Sequence, residues 1–532
     1  MLPTATAMKQ TPIGRPLHQC PICESRRLEY KFVVDRSPVC GCEDCGLLFL
    51  NPQPAEPPEP PRPLAAEANQ AEPVCAANAA GRMEHLLRYT GLRHGRLLLV
   101  GADRYLEAEA GRAGFTVSAF TARDFETVPA DQLPPVIDAC VLFCALEKFA
   151  DPAEALRRIR GVLAADGALM VVSLATDSPM ARFFGASWWE FNRANRFYFS
   201  VDTLQSLLVK CGFGDLAFTP DRSQVSLRYL RERIADLPRA SRRHRLLRRL
   251  LWFSPIPRGQ PFRLMHGRVV CLARPKPPSP EPTLAVIVPV YNERPTFAEL
   301  IERVLAKNLE GTAIEVIIVE SNSTDGSRDL VARYQEHPRV RIILEDKPRG
   351  KGYAVRTALK AAGADIILFQ DADLEYDVDD YDALVRPILR YERNFILGSR
   401  HNPAGNGWKI RRFADSPGVA GFFNFGHLVF LTLFNVLFGQ RLTDPFTMFK
   451  VFRRECLWGL TFECNRFDFD HELVVKLLWK GYKPLELPVN YRSRSMAQGK
   501  KVTVFGDPLT WIRALVKLRI VCWRSDPGVG RP

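Results

Sequence analysis

The sequence predicts an α/β protein, with two doubly wound (Rossmann-like) domains in tandem behind a small zinc ribbon. Three observations point there. Paired cysteine knuckles lie near the N-terminus. Two long stretches each alternate short apolar runs with amphipathic helical segments. In the second stretch every strand-like run ends in a polar cluster, at the edge where open α/β sheets bind ligands. At 532 residues, with 46% hydrophobic and 25% charged side chains, the chain has a soluble globular composition and enough length for several cores.

The first element spans 18–52. Cys20-Pro-Ile-Cys23 and Cys42-Glu-Asp-Cys45 are separated by eighteen residues. That spacing suits four thiolates around a structural Zn²⁺, with every position filled by sulfur. The alternative is free cysteines in a small domain, and Cys40 is a spare thiol nearby. The thirteen cysteines otherwise lie singly, which argues against a secreted disulfide scaffold. Residues 53–74 follow as a linker. Its proline-rich start, within Asn51 to Leu64, supports neither a helix nor a central strand.

Residues 75–275 form the first large domain. Strands are expected at Leu97–Gly101, Phe115–Phe120, Ile137–Phe143 and Ala168–Leu174, with helices such as Pro152–Leu163 between them. Leu146-Glu-Lys-Phe-Ala-Asp-Pro152 and Leu163-Ala-Ala-Asp-Gly-Ala-Leu-Met-Val-Val172 resemble the stretches around strands 4 and 5 of class I S-adenosylmethionine (SAM) methyltransferases. The cofactor turn departs from that family. Val100-Gly101-Ala102-Asp103-Arg104-Tyr105 has one glycine, and Ser118-Ala-Phe-Thr121 lacks the ribose-binding acid. The resemblance therefore implies a degenerate methyltransferase-like domain. An active SAM-dependent domain in a bifunctional chain, or a zinc-stapled scaffold, are the alternatives.

Between the domains, Arg239 to Phe253 interleaves arginines with leucines. It reads equally as a basic amphipathic helix on anionic lipid or as a connecting helix with a solvated face. The net charge of +14 favours acidic partners, but no base-reading module accompanies it, so nucleic acid is not expected.

The second large domain spans 283–510, with a tail at 511–532. Strands are expected at Leu284–Val290, Glu315–Glu320, Arg341–Asp346 and Asp365–Phe369. Six carboxylates follow the last of these within residues 371–380. Asp371 and Asp373 are two apart, so extended backbone points both the same way, with Glu375 on that face if extension continues. Mg²⁺ or Mn²⁺ takes one or two such carboxylates and completes its shell with phosphate oxygens and water. Asp377, Asp379 and Asp380 suit the start of a helix over 380–389, where acids favour the N-terminal dipole.

Several motifs of this half resemble family 2 glycosyltransferases of the GT-A fold, especially those acting on polyprenyl (dolichol) phosphates. The motifs are Pro289-Val-Tyr291-Asn-Glu293, Ser323-Thr-Asp325-Gly326, Gln370-Asp-Ala-Asp-Leu-Glu-Tyr376, Gly398-Ser-Arg400, Thr443-Asp444-Pro-Phe-Thr-Met-Phe-Lys450, and Tyr491-Arg-Ser-Arg494 with Gly499-Lys-Lys501. The resemblance implies transfer of a hexose from a UDP- or GDP-sugar to polyprenyl phosphate or another membrane or cell-surface glycan acceptor. It implies metal binding by Asp371, Asp373 and Glu375, and catalysis by Asp371, Asp373 and Arg494. It places Pro289, Tyr291, Glu293, Glu320, Lys347 and Asp371 at the nucleotide sugar, with Arg349 or Lys351 as further phosphate contacts. Glu320 stands where the family has the first of two aspartates, and Ser321 replaces the second.

For the acceptor, the resemblance points to Arg400, Arg494 and Lys500, with Arg411, Arg412 and Lys501 as further cations. Arginine suits phosphate through its fork. An ionised phosphate is already a nucleophile, whereas a sugar hydroxyl needs a general base, for which Asp470, Glu472 and Asp444 are candidates. The apolar stretch Phe422–Phe438 reads as a monotopic helix at the bilayer or as a core helix. No window reaches ~20 continuous apolar residues, and the N-terminus lacks a signal-peptide core. A cytoplasmic protein, peripheral at the membrane face, is expected. The processive-synthase signature Gln-x-x-Arg-Trp does not occur.

Overall fold

The computed structural model describes residues 14–55, 72–101, 103–235, 249, 252, 261–276, 279, 281–401, 417–494 and 512–520. The proline-rich run beyond residue 55, most of Arg239–Phe253, and Arg411, Arg412, Lys500 and Lys501 lie outside them. The chain divides into two units, Met1–Pro277 and Pro278–Pro532.

In the N-terminal unit the strands are β1 (Leu28–Val34), β2 (Ser37–Cys42), β3 (Leu48–Leu50), β4 (Gly95–Val100), β5 (Phe115–Phe120), β6 (Ile137–Phe143), β7 (Leu163–Leu174), β8 (Phe197–Tyr198), β9 (Phe213–Ser226) and β10 (Pro261–Pro275). The larger sheet runs β5-β4-β6-β7-β10-β9. The first four strands are parallel, but β10 is antiparallel to both β7 and β9, so this sheet is mixed where a parallel one was expected. The cause is the long β9–β10 pairing, in which Pro261 faces Ser226 and the chain doubles back on itself.

Local chemistry explains the helices. Asp151 caps Pro152–Val162, with proline in the first turn and the carboxylate accepting from Ala153 and Glu154 N–H. Ser200 and Thr203 close a capping box at Val201–Lys210. Met83 and Leu86 of helix Glu72–Thr90, and Leu106 of helix Arg104–Arg112, pack on Leu97, Leu99, Val141, Met170 and Val172 of the sheet. Burial of each large side chain contributes roughly 1.5–3 kcal/mol before chain entropy is subtracted.

The cysteine-bearing hairpin is not a separate bead. Its sheet, β1-β2-β3-β8, takes its last strand from beyond residue 190, with Leu48 opposite Tyr198 and Phe49 opposite Phe197. Val39, Leu50, Leu174, Trp188 and Tyr198 share one core cluster there.

In the C-terminal unit the strands are β11 (Thr283–Val290), β12 (Ala313–Glu320), β13 (Val340–Leu344), β14 (Ile366–Phe369), β15 (Phe395–Ser399), β16 (Lys450–Arg453) and β17 (Leu485–Pro488), in the order β13-β12-β11-β14-β16-β15-β17. The first four are parallel, and β16 runs antiparallel to β14 and β15. Continuous apolar runs fit strands covered on both faces: Leu284–Val288 and Ile366–Phe369 are fully buried. Register aligns Val290 with Glu320, and Glu320 with Leu344, so the polar residues that follow these strands emerge along one edge.

Candidate active site at the sheet edge

The loops after β11 and β12 are knitted together. Asn292, in left-handed backbone at φ 51°, donates its N–H to Ser323 Oγ at 2.9 Å, and its side-chain oxygen accepts from Thr324 N–H at 2.8 Å. Glu293 N–H donates to Ser327 Oγ, and Arg294 N–H to Asp325 Oδ2. Pro289 ends inside β11, Tyr291 is exposed and Glu293 is buried.

The acids after β14 do not continue as extended backbone. Leu374 sits at φ 58°, and Glu375 N–H turns back to Asp373 Oδ1 at 3.1 Å. The alternation expected for residues 371–375 is thus replaced by a turn, which Thr296 Oγ holds through Ala372 O at 2.7 Å. Asp371, Asp373 and Glu375 remain neighbours but do not close into a cage. Among the described residues, the only group of three or more acids, histidines or cysteines with ligand atoms within 4.8 Å of one another is the cysteine quartet.

Two cations face these acids. Lys351 Nζ lies 2.5 Å from Asp371 Oδ1. Burial opposes the Lys351 charge, but Asp371 and Asp470 outweigh it and hold the ammonium well above its ordinary range. Arg494 reaches Asp373 Oδ2 at 2.7 Å and Glu293 Oε2 at 2.9 Å, while its N–H donates to Glu375 Oε1 at 2.8 Å. Tyr491 hydroxyl donates to Glu375 Oε2 at 2.7 Å. Burial, then the Asp371 and Glu375 charges, push the Asp373 carboxyl up to about 7 despite Arg494. The site therefore carries more negative charge than its two cations neutralise, and its hard oxygen donors fit Mg²⁺ or Mn²⁺.

Lys351 owes its place to Gly350, at φ 103°. A Cβ there would meet Asn465 O at 2.4 Å, so glycine lets helix Lys351–Ala361 start against the 464–469 segment. Lys347 stands exposed in the preceding loop. Arg349 is paired with Asp346.

The residues that the sequence assigns to the acceptor side are more enclosed than expected. Arg400 grips Asp444 through Nε and Nη2, both at 2.8 Å, and its guanidinium lies over the Tyr491 ring. Burial would raise the Asp444 carboxyl, but Arg400 outweighs it and holds it well below the usual carboxylate range. Asp470 is paired at 2.8 Å with Lys450, which is completely buried. Glu472 accepts from Glu463 and Cys464 N–H and from Lys476. Glu320, also completely buried, accepts from Asn322 and Ser323 N–H and so holds its own turn. Sequence reasoning missed the pairing of Lys450 with Asp470, although the lysine lies within a quoted motif.

In the N-terminal unit, Cys20 Sγ lies 3.4 Å from Cys45 Sγ, and Cys23 Sγ lies 3.5 Å from Cys42 Sγ. These contacts are too long for disulfides and near the sulfur–sulfur edge of a tetrahedral zinc thiolate site. Lys210 Nζ ties the first knuckle down through Ile22 O and Glu24, both at 2.7 Å. Gly101, at φ 126°, presses so close to Phe143 O that a Cβ would lie 2.1 Å from it. Asp103 caps the next helix, and the strand after it ends in Phe120 without an acid.

Residues 285–461 match the family model "Glycosyl transferase family 2". Glycosyltransferase AglD of Haloferax volcanii is 29% identical over 252 residues, 44% of this chain and 38% of that protein. Dolichol-phosphate mannosyltransferase of Pyrococcus furiosus is 26% identical over 228 residues, 42% of this chain and 60% of that protein. The chain thus spans about four- to six-tenths of the length of these relatives. Among solved structures, glucosyl-3-phosphoglycerate synthase from Mycobacterium tuberculosis aligns with a TM-score of 0.34 and 20% identity, over 44% of this chain and 80% of that one. The C-terminal half carries a family 2 glycosyltransferase domain on an α/β fold.

Proposed function

We propose that the protein is a hexosyltransferase that moves a sugar from a nucleotide diphosphate to polyprenyl phosphate or another membrane glycan acceptor, with Mg²⁺ or Mn²⁺. The observation that carries this reading is the acid cluster Asp371, Asp373, Glu375 and Glu293, under-neutralised by Lys351 and Arg494, at the ligand-binding edge of a family 2 domain. Asp371 and Asp373 would hold the metal, which neutralises the diphosphate as the sugar–phosphate bond breaks. Pro289, Tyr291, Glu293 and Glu320 frame the nucleotide side, and Lys347 approaches from its exposed loop. Arg494 is the catalytic cation. Its fork lies among the carboxylates and turns to phosphate oxygens when the donor arrives.

The committed partners of Asp444, Asp470 and Glu472 favour an acceptor that needs no general base. A phosphate monoester is such an acceptor. Arg400 stands behind Tyr491 with its charge balanced by Asp444, and Lys500 belongs to the segment beyond residue 494. Exposed Phe425, Leu428, Val429 and Val436 on helix Pro417–Phe438, and Ile512, Val516 and Ile520 on residues 512–520, support contact with a membrane surface. Among the described residues no helix is long and apolar enough to cross a membrane. The N-terminal unit is proposed as a zinc-stapled scaffold around a degenerate methyltransferase-like sheet, with the strand order supporting the resemblance and the missing acid at the end of β5 opposing SAM.

The test is transfer of radiolabelled sugar from GDP- and UDP-hexoses to polyprenyl phosphate in vesicles. Manganese-dependent transfer by the wild type, lost in Asp371→Asn with Asp373→Asn, is expected. Transfer retained by that double variant overturns the metal assignment, and no transfer by the wild type with any donor overturns the function.

A further inference from the structure

Glu345 follows β13 directly, and its N–H donates to Glu320 O at 2.8 Å, extending the ladder towards the edge assigned above to the nucleotide. It is only 7% exposed, yet neither carboxylate oxygen has a hydrogen-bond partner. Burial raises its pKa and the Ser321 hydroxyl lowers it, although that hydroxyl makes no well-formed hydrogen bond to either oxygen. Its backbone is nevertheless fixed, because Arg328 donates to both Glu345 O and Asn322 Oδ1.

A buried carboxylate with two empty oxygens is costly unless donors arrive. Glu320, one strand over, has both oxygens filled by backbone N–H groups, and Ser321 offers only a hydroxyl. Glu345 is thus a buried carboxylate at this edge with both oxygens left to accept from a ligand. Both Glu345 oxygens are shut from solvent, and the exposed Asp346 and Lys347 beside them mark the surface segment that must give way for a ligand to reach them.

We propose that Glu345 reads the donor's base and that this base is guanine. An ionised carboxylate only accepts, and it accepts best from two parallel donors. Guanine presents adjacent N1–H and N2–H₂ groups that match both oxygens. Uracil presents one N–H between two carbonyls, so the second Glu345 oxygen would face a lone pair. Adenine and cytosine each offer one amino group and no adjacent ring N–H. The inference rests on the nucleotide-sugar reading above and narrows its donor to a GDP-sugar.

Calorimetry of the full chain with Mn²⁺ tests it, using GDP and UDP as probes on the wild type and on Glu345→Gln. The expected result is GDP binding at least about tenfold tighter than UDP, with Glu345→Gln reducing that preference severalfold, because the amide replaces one acceptor with a donor. UDP binding as tightly as GDP in the wild type overturns the guanine assignment and leaves the glycosyltransferase reading standing. An unchanged preference in folded Glu345→Gln overturns the role of Glu345. Binding of neither nucleotide overturns both. The wild-type comparison decides the base even if the variant fails to fold.

Discussion

Replacing Asp444 with asparagine tests whether Arg400 belongs to the frame of the site. The Arg400 side chain is 9% exposed and that of Asp444 is fully buried, with two guanidinium contacts of 2.8 Å and a third from Arg400 N–H at 3.0 Å. Asp444→Asn leaves a buried guanidinium without its counter-charge, a defect of about 3–5 kcal/mol. In a unit of this size, that lowers the melting temperature by roughly 6–20 °C. Replacing both partners, Arg400→Met with Asp444→Leu, removes the charge as well as the bond and should recover most of the loss. The pH dependence has a definite sign. The folded carboxyl lies below its unfolded value of about 3.9, so its contribution is present above pH ~4 and is lost as pH falls towards the depressed folded value. Urea unfolding of the full chain at pH 7 and at about pH 2.5, below the unfolded carboxyl value, with hydrogen exchange in β15 and β16 reporting locally, reads both effects. A loss under about 0.5 kcal/mol in Asp444→Asn, or an identical acid response in wild type and variant, refutes the closed pair.

Arg494→Met removes the cation shared by Glu293, Asp373 and Glu375. Turnover should fall by about 10²–10³-fold, while Mn²⁺ measured alone by electron paramagnetic resonance should bind more tightly. Unchanged turnover refutes the catalytic role. Metal analysis should find one zinc per chain, lost in Cys42→Ser together with more than about 5 °C of melting temperature in the N-terminal unit. A metal-free wild type of undiminished stability refutes the zinc site.

The buried strands were readable because two covered faces require continuous apolar runs, as in Leu284–Val290 and Ile366–Phe369. Asp151-Pro152 likewise announced its helix. β9 and β10 were not read: their polar and apolar residues mix, and each is specified by a partner across the hairpin. In the site, the carboxylates stood out by spacing, but their partners did not. Arg400 and Asp444 are forty-four positions apart, and Arg494 and Asp373 are one hundred and twenty-one apart. The Leu374 turn was hidden too, since nothing in an Asp-Ala-Asp-Leu-Glu string demands left-handed backbone. Glu345 looked like an ordinary acid at a strand end, and only burial without a partner distinguishes it.

The shared β3–β8 ladder has a consequence for how the N-terminal half comes apart. A protease or an engineered truncation that removes residues up to 52 would not free a dispensable appendage. It would strip β8 of its neighbour, uncover Tyr198 and Trp188, and leave an unpaired edge prone to self-association. The cysteine hairpin and the sheet behind it should therefore be inherited, expressed and lost together, as one cooperative piece.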